Sequence, residues 1–234
     1  MTAAQQALLM VESIRDPSFS SVTLLAHFDG TNGSTTFTNS CPVNPSSATI
    51  AAGSPVIDTS VSEFGGASIH FPNSSGIKWH PTSGTPFAFG TGDFTIEFWV
   101  RIASTSVAVN FIDGRVSAAD GNPVIDMTSG GNLNYFTNGA NKITGASAIV
   151  ANTWTAVALS RVSGVSRLYV GGSQVGSNFT DANNINTADL FQWVAFNGVA
   201  PANNGNVDEL RVTNGVGRYA GSSYSLATAA FPNQ

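Results

Sequence analysis

The stretch Asp93–Arg101 reads DFTIEFWVR, and it decides the fold class. Every second residue in it is large and apolar: Phe94, Ile96, Phe98 and Val100. The residues between them are Thr95, Glu97, Trp99 and Arg101, a mainly polar set. Successive side chains of a strand point to opposite faces, so this pattern predicts a β-strand with one face in a core.

Similar alternation predicts ten further strands: Val22–Phe28, Ser68–Phe71, Gly76–Trp79, Val107–Ile112, Val124–Met127, Leu133–Thr137, Thr153–Arg161, Val165–Val170, Leu190–Phe196 and Val207–Val212. Pairs such as Asp29-Gly30 and Asn197-Gly198 lie between them at hairpin spacing. Longer polar stretches are predicted surface loops: Asn39–Ser47, Pro72–Ser75, Pro81–Pro86 and Asn178–Asp189. The sequence therefore predicts an all-β, two-sheet antiparallel sandwich.

One segment, residues 3–15, has apolar residues at helical spacing, and Asp16-Pro17 ends it. An isolated helix of this size is marginal in water, so we expect it to dock on its own sandwich or on a neighbouring subunit. The predicted organisation is a helical or extended N-terminal arm over 1–21 and one sandwich domain over 22–234.

Composition excludes several classes of partner. Charged residues make up 10% of the 234 residues, the net charge is −5, and Lys and Arg form no cluster. We therefore expect no nucleic acid and no membrane as partner. The N-terminus has no basic residue ahead of its short apolar run, which predicts that the chain carries no secretory signal and is made in a cytoplasm.

Six landmarks occur in a characteristic order: Leu24–Gly30, Phe64–Phe71, Phe89–Val100, Trp154–Arg161, Arg167–Gly172 and Val207–Thr213, the last followed by Gly217-Arg218-Tyr219. This set resembles the laminin-G-like jelly rolls of the concanavalin A-like lectin/glucanase superfamily, in particular those of tailed-phage virion proteins. The resemblance covers about residues 22–232 and implies a jelly-roll sandwich. It does not fix the function, because lectins, glycanases and adhesion modules share the fold.

The glycanases of the superfamily carry two or three carboxylates at alternating positions on one strand. Glu97 has no acidic neighbour at positions 95 and 99, while Asp208 and Glu209 are adjacent and hence on opposite faces. The three histidines, His27, His70 and His80, lack a serine or cysteine in a nucleophile-elbow context. We therefore expect that the chain is not an enzyme.

The resemblance also implies a structural calcium ion held by Asp29 and Asp208, which would tie the first strand to the last. The acidic segment that usually follows the first Asp is replaced here by Thr38–Pro42. The alternative is that Asp29 makes a turn and Asp208 accepts hydrogen bonds within the sheet. No other cofactor is expected.

Carbohydrate binding needs an aromatic platform beside hydrogen-bonding groups. Glu97, Trp99 and Arg101 share the polar face of their strand and are the candidate residues for it. The alternative is a solvent-facing carboxylate and a packed indole.

Together these features predict a bacteriophage virion structural protein, made in the host cytoplasm and carried on the particle surface. A capsid decoration or head-surface protein with a lectin-like adhesion domain is favoured, because the chain lacks the long repetitive shaft of a tail fibre. A tail-associated adhesin and a free lectin remain alternatives. The expected partners are major capsid or tail proteins and a host cell-surface glycan, with the chain as a homo-oligomer.

Overall fold

A computed structural model describes residues 15–41, 43, 46–146 and 148–234 of the chain. These residues contain fifteen strands and one 3-10 turn, Phe19–Ser21, which confirms the all-β prediction. The predicted helix lies outside the described residues except for Arg15, and the arm over 1–21 stays a prediction. In the described part, no helix combines the length and the apolar character that crossing a bilayer requires.

The first sheet has eight strands: β1 (Val22–Ala26), β3 (Val56–Asp58), β4 (Ser68–Phe71), β6 (Phe94–Ile102), β11 (Thr155–Val162), β12 (Val165–Val170), β13 (Ser173–Thr180) and β15 (Gly205–Asn214). Their order across the sheet is β13-β12-β11-β6-β15-β4-β3. Strand β1 lies off this path and pairs with the second half of β15, from Leu210 to Thr213.

The second sheet has seven strands: β2 (Ser46–Ala52), β5 (Gly76–Pro81), β7 (Val109–Asp113), β8 (Val124–Met127), β9 (Leu133–Thr137), β10 (Ala140–Gly145) and β14 (Leu190–Gln192). Their order is β10-β9-β8-β7-β14-β5-β2. All pairings in both sheets are antiparallel, so the two-sheet jelly-roll prediction is confirmed.

The core fills the space between the sheets. The apolar residues of the deciding stretch, Phe94, Ile96, Phe98 and Val100, are 0–2% exposed and point into it. Trp79 of β5 and Trp193 after β14 face them from the second sheet, and both are fully buried. Full burial of one such apolar side chain stabilises the fold by roughly 1.5–3 kcal/mol. The alternation in the sequence thus correctly assigned the inner face of β6.

One open side of the sandwich is sealed by close approach of β10 and β13. A Cβ at Gly145 would lie 2.5 Å from a methyl group of Val175, and a Cβ at Gly176 would lie 2.7 Å from Ile143. Gly176 also has a φ of +64°, which other residues rarely adopt. These glycines therefore let the two sheets close on each other along this side.

Candidate functional site

The predicted carbohydrate-binding residues lie on the outer face of β6, as expected, but this face does not meet solvent. Glu97 is 3% exposed and Trp99 is 7% exposed, while Arg101 is partly exposed. The last segment of the chain crosses the face, and Phe64 packs edge-on against Trp99 with ring centroids 5.6 Å apart. The expectation of an exposed platform is wrong at Glu97 and Trp99. Their contact with a glycan stays a prediction.

Glu97 holds the C-terminal segment in place. Its Oε1 accepts from Arg211 Nε at 2.9 Å, and its Oε2 accepts from the Tyr219 hydroxyl at 2.6 Å. Burial, with the negative charge of Glu97, raises the pKa of Tyr219, so the phenol stays a donor. With both oxygens engaged, Glu97 has little capacity left for a ligand.

A second carboxylate, Asp16, completes the same network. Its Oδ2 accepts from Arg211 Nη1 at 3.1 Å and from Arg218 Nη2 at 2.6 Å. Burial opposes ionisation, yet the hydrogen bonds and charges of the two arginines hold the pKa of Asp16 below its usual value. The Asp16 backbone N–H donates to the carbonyl of Gln234 at 2.8 Å. The network therefore fastens both ends of the described chain to the first sheet, around a cavity of about 250 Å³.

The predicted calcium residues lie on either side of one turn, residues 63–65. Asp208 is fully buried, and its Oδ2 accepts from the backbone N–H groups of Glu63 and Phe64 at 2.9 and 3.0 Å. Its Oδ1 has no hydrogen-bond partner within the described part of the chain, and burial raises the pKa of Asp208 to about 7. The exposed Asp29 packs on Gly65, where a Cβ would lie 2.3 Å from Asp29 Oδ1.

Whether a metal ion fits this turn depends on the oxygen ligands around it. The unpartnered Oδ1 of Asp208 would suit a cation, but Ca²⁺ takes six to eight oxygen ligands. Among the described residues, no three His, Cys, Asp or Glu side chains form a group that could hold a metal. Asp29 and Asp208 alone do not make a calcium site, and the calcium assignment stays a prediction.

The outer face of the second sheet carries a group of polar and aromatic side chains that come from several different strands. Its centre is Asp113 at the end of β7. Both Asp113 oxygens are bound by Arg115, with Nε at 2.9 Å from Oδ1 and Nη2 at 2.7 Å from Oδ2. Asn110 Nδ2 and the backbone N–H of Phe196 also donate to Oδ2, at 3.2 and 3.1 Å. Asp113 is thus fully buried and fully partnered.

Two aromatic rings hold the guanidinium of Arg115 between them. Its Cζ lies 5.2 Å from the ring centroid of Phe136 and 4.9 Å from that of Phe196, within cation-π range. Both rings are half-buried, as is Phe191, which pairs in register with Asp113 across β14 and β7. The face therefore presents two aromatic rings against a fixed arginine and a third ring, Phe191, opposite Asp113.

Two hydrogen-bond acceptors on this face lack donors among the residues that the structure describes. Asp126 on β8 pairs in register with Asn134 on β9, and Asn134 Nδ2 lies 3.4 Å from Asp126 Oδ2. Asp126 Oδ1 and Asn134 Oδ1 are both buried without a hydrogen-bond partner. Burial, together with the nearby charge of Asp113, raises the pKa of Asp126 to about 6. We call Asn110, Asp113, Arg115, Asp126, Asn134, Phe136, Phe191 and Phe196 the outer-face cluster.

Residues 73–216 match the family model Laminin_G_3, described as the concanavalin A-like lectin/glucanases superfamily. This match spans more than half of the chain. The chain belongs to this family. No curated protein sequence matches it. The outer-face cluster lies entirely within the matched residues of this laminin-G-like domain.

Solved structures similar to this laminin-G-like domain include the binding domain of Paraclostridial Mosquitocidal Protein 1, with a TM-score of 0.61 and 12% identity over 84% of this chain and 49% of that chain. The binding domain of botulinum neurotoxin DC in complex with SialylT has a TM-score of 0.61 and 13% identity over 83% and 48%. A structure of botulinum neurotoxin type C, whose cell entry depends on interaction with two ganglioside molecules, has a TM-score of 0.62 and 12% identity over 84% of this chain and 48% of that chain. The chain spans about half the length of these proteins, and at such identity the likeness shows the fold alone.

Sequence reasoning missed the outer-face cluster of the laminin-G-like domain. Asp113-Gly114 resembled an ordinary turn signal, and Asp126 lay unremarked inside an alternating run. Asn110 and Asp126 are sixteen residues apart but pair directly across β7 and β8. The local signal is that Asn110, Asp126 and Asn134 are polar residues at outward positions, each between two apolar neighbours on its strand.

Proposed function

We propose that this chain is a non-catalytic attachment domain on the surface of a bacteriophage particle, and that the outer-face cluster binds a glycan of the host surface. A capsid decoration or head-surface protein is the favoured form. The observation that carries the binding proposal is the set of three half-buried rings, Phe136, Phe191 and Phe196, beside the polar groups of Asn110 and Asp126. Saccharides bind to such surfaces through ring stacking combined with a few fixed hydrogen bonds.

Binding fits the cluster better than hydrolysis does. A retaining glycosidase needs one free carboxylate as nucleophile, about 5 Å from a protonated carboxylic acid. Asp126, with its raised pKa, could resemble the acid, but Asp113 could not serve as the nucleophile. Its two oxygens accept from Arg115, Asn110 and the Phe196 backbone, and its side chain is fully buried. The arrangement of Asp113 and Asp126 therefore supports ligand binding at a fixed surface rather than hydrolysis.

The virion placement is supported by the sequence resemblance to tailed-phage proteins and by the low charge of the chain, 10% of its residues. The comparison with binding domains keeps a tail-associated adhesin as the second candidate, since an adhesin at either position would use the same fold. Virions purified from the source should contain the chain in many copies, located on the head by labelled electron microscopy. Its absence from the particle would remove the virion placement, and labelling of the tail would select the adhesin.

Glycan binding is tested directly with Phe196→Ala. Loss of a ring that stacks on a sugar should weaken binding by about 1–3 kcal/mol, or roughly five- to a hundredfold in Kd. The measurement is calorimetry with the best ligand from a glycan array. Phe64→Ala is the matched control, because Phe64 is also half-buried but packs on Trp99 at the other sheet. Equal affinity of both variants and the wild type would exclude the outer-face cluster as the site.

A further inference from the structure

Two cationic groups on the outer face of the second sheet, Arg115 and Lys78, are already paired with aspartates. Arg115 forms a two-point ion pair with Asp113, and its remaining Nη1 lies 3.5 Å from the Ala118 carbonyl. Lys78, opposite Phe191 in register, lies 3.2 Å from Asp189 Oδ2. A ligand carboxylate or sulfate would have to compete with these aspartates for either cation. Neither group therefore offers an unpaired positive charge to an anionic ligand.

The atoms on this face that lack hydrogen-bond partners are acceptors. Asp126 Oδ1 and Asn134 Oδ1 are both acceptors, and no described residue donates to either. Neither oxygen is exposed to solvent, so the acceptor within reach of a ligand is the half-buried carboxyl group of Asp126. Saccharide hydroxyls donate, whereas carboxylate and sulfate oxygens only accept.

Asp126 adds a second effect against anions. Its carboxyl carries a full negative charge at pH 8, above the pKa of about 6 that burial gives it. The charges that face it are Asp113 on β7 and Arg115 after β7, which cancel each other in their ion pair. An anionic group placed over Asp126 at that pH meets a net repulsion.

We propose that the outer-face cluster takes neutral, hydroxyl-rich saccharides and discriminates against sialylated or sulfated ones. This inference rests on the proposed glycan-binding function and specifies its ligand class. The recognition elements are the rings of Phe136, Phe191 and Phe196 for the apolar face of a sugar, and the half-buried carboxyl group of Asp126 for its hydroxyls.

The test compares matched oligosaccharides, each as the neutral form and with a terminal sialic acid or sulfate, by calorimetry at pH 8. We expect the wild type to bind the neutral form at least about tenfold more tightly, which corresponds to roughly 1.4 kcal/mol. Asp126→Asn removes the repelling charge, so the preference for the neutral form should fall several-fold. Asp58→Asn makes the same charge change on β3 of the other sheet and should leave the preference intact.

The outcomes separate this inference from the function on which it rests. Tighter or equal binding of the anionic forms by the wild type overturns the ligand class and leaves glycan binding standing. A preference that falls equally in Asp126→Asn and Asp58→Asn also overturns it, because the effect would be one of net charge alone. A wild type that binds neither form overturns the proposed function together with this inference.

Discussion

At the scale of single residues, Asp126 is a carboxyl group whose environment lowers the stability of the fold when it is ionised. Among the described residues its Oδ1 is buried without a donor, and Asn134 Nδ2 approaches its Oδ2 at 3.4 Å. Such groups concentrate at functional sites because a stability-optimised surface would not retain them. The neighbouring Asp113 is the opposite case, since every donor around it is directed at its carboxylate.

Asp126 predicts a specific dependence of stability on pH. The pKa of Asp126 is about 6 in the folded state, above its value in the unfolded chain. Between about pH 4 and pH 6 the carboxyl is therefore protonated in the native state and ionised in the unfolded chain. The stabilising contribution is therefore full below about pH 4 and is lost as the pH rises through 6. Asp126→Asn should raise the Tm at pH 8 by about 2–4 °C and change it little at pH 4, as measured by thermal unfolding.

The control for this prediction is Asp58→Asn. The pKa of Asp58 is lowered: burial opposes the shift, and the hydrogen bonds from Ser60 outweigh it. Its replacement should consequently be neutral or destabilising at pH 8. Equal destabilisation by Asp126→Asn at both pH values would contradict the prediction, because it would mean that ionisation of Asp126 does not lower the stability of the fold.

At the scale of elements, the C-terminal segment behaves as a cover for the outer face of the first sheet. Tyr219 and Tyr224 stack with ring centroids 3.8 Å apart, and the Arg211 guanidinium lies 3.8 Å from the ring centroid of Phe231. The Phe231 N–H also donates to Glu209 at 2.8 Å. These contacts make the last residues part of the domain and explain why the polar face of β6 is buried.

Tyr219→Phe tests how the cover is fastened. The substitution removes the donor 2.6 Å from Glu97 Oε2 and leaves the ring stacking in place. A hydrogen bond to a charged group contributes about 1.5–3 kcal/mol, so we expect a loss of that size in urea unfolding. Amide exchange should speed up in residues 216–231 more than in β12. Uniform faster exchange throughout the sheet would instead mean that the segment is not a separate unit.

At the scale of the whole molecule, each sheet ends, among the described residues, in an edge strand on the side away from the β10–β13 contact: β3 in the first sheet and β2 in the second. Strand β2 is the last strand of the second sheet, pairs with β5 and reads SSATIAA without charge or proline. Ile50 on this strand is 44% exposed. Edge strands of this kind invite pairing with another chain, because their outward backbone groups are unpaired. The homo-oligomer predicted from the sequence would form most readily here.

Ile50→Lys tests this assembly. A charge on an edge strand opposes edge-to-edge pairing, so the variant should be monomeric in light scattering at concentrations where the wild type is oligomeric. Val199→Lys is the control, because Val199 is 65% exposed but lies in a loop outside the strands. A wild type that is monomeric at every concentration would contradict the oligomer prediction itself.

The sequence predicted the strands whose two faces differ, and it missed those that lack this contrast. β6 and β12 show apolar and polar alternation and were predicted with nearly correct bounds. β2 and β13 lie at sheet edges with mostly exposed side chains, so no inner face marked them, and each overlaps a predicted loop. β3 has three residues, and β10 has a single buried large residue, Ile143. Their pairing is set by neighbouring strands.

Sequence alone determined the all-β class, the inner face of β6 and the family, because hydrophobic alternation is a local property that survives any arrangement of the strands. Tertiary structure decided what the outer faces do. The polar face of β6 is buried because Glu97 meets Arg211, 114 residues away, and Tyr219, 122 residues away. The outer-face cluster exists because β7, β8, β9 and β14 lie side by side. Such juxtapositions depend on strand order, and strand order leaves no trace in the residues of any one strand.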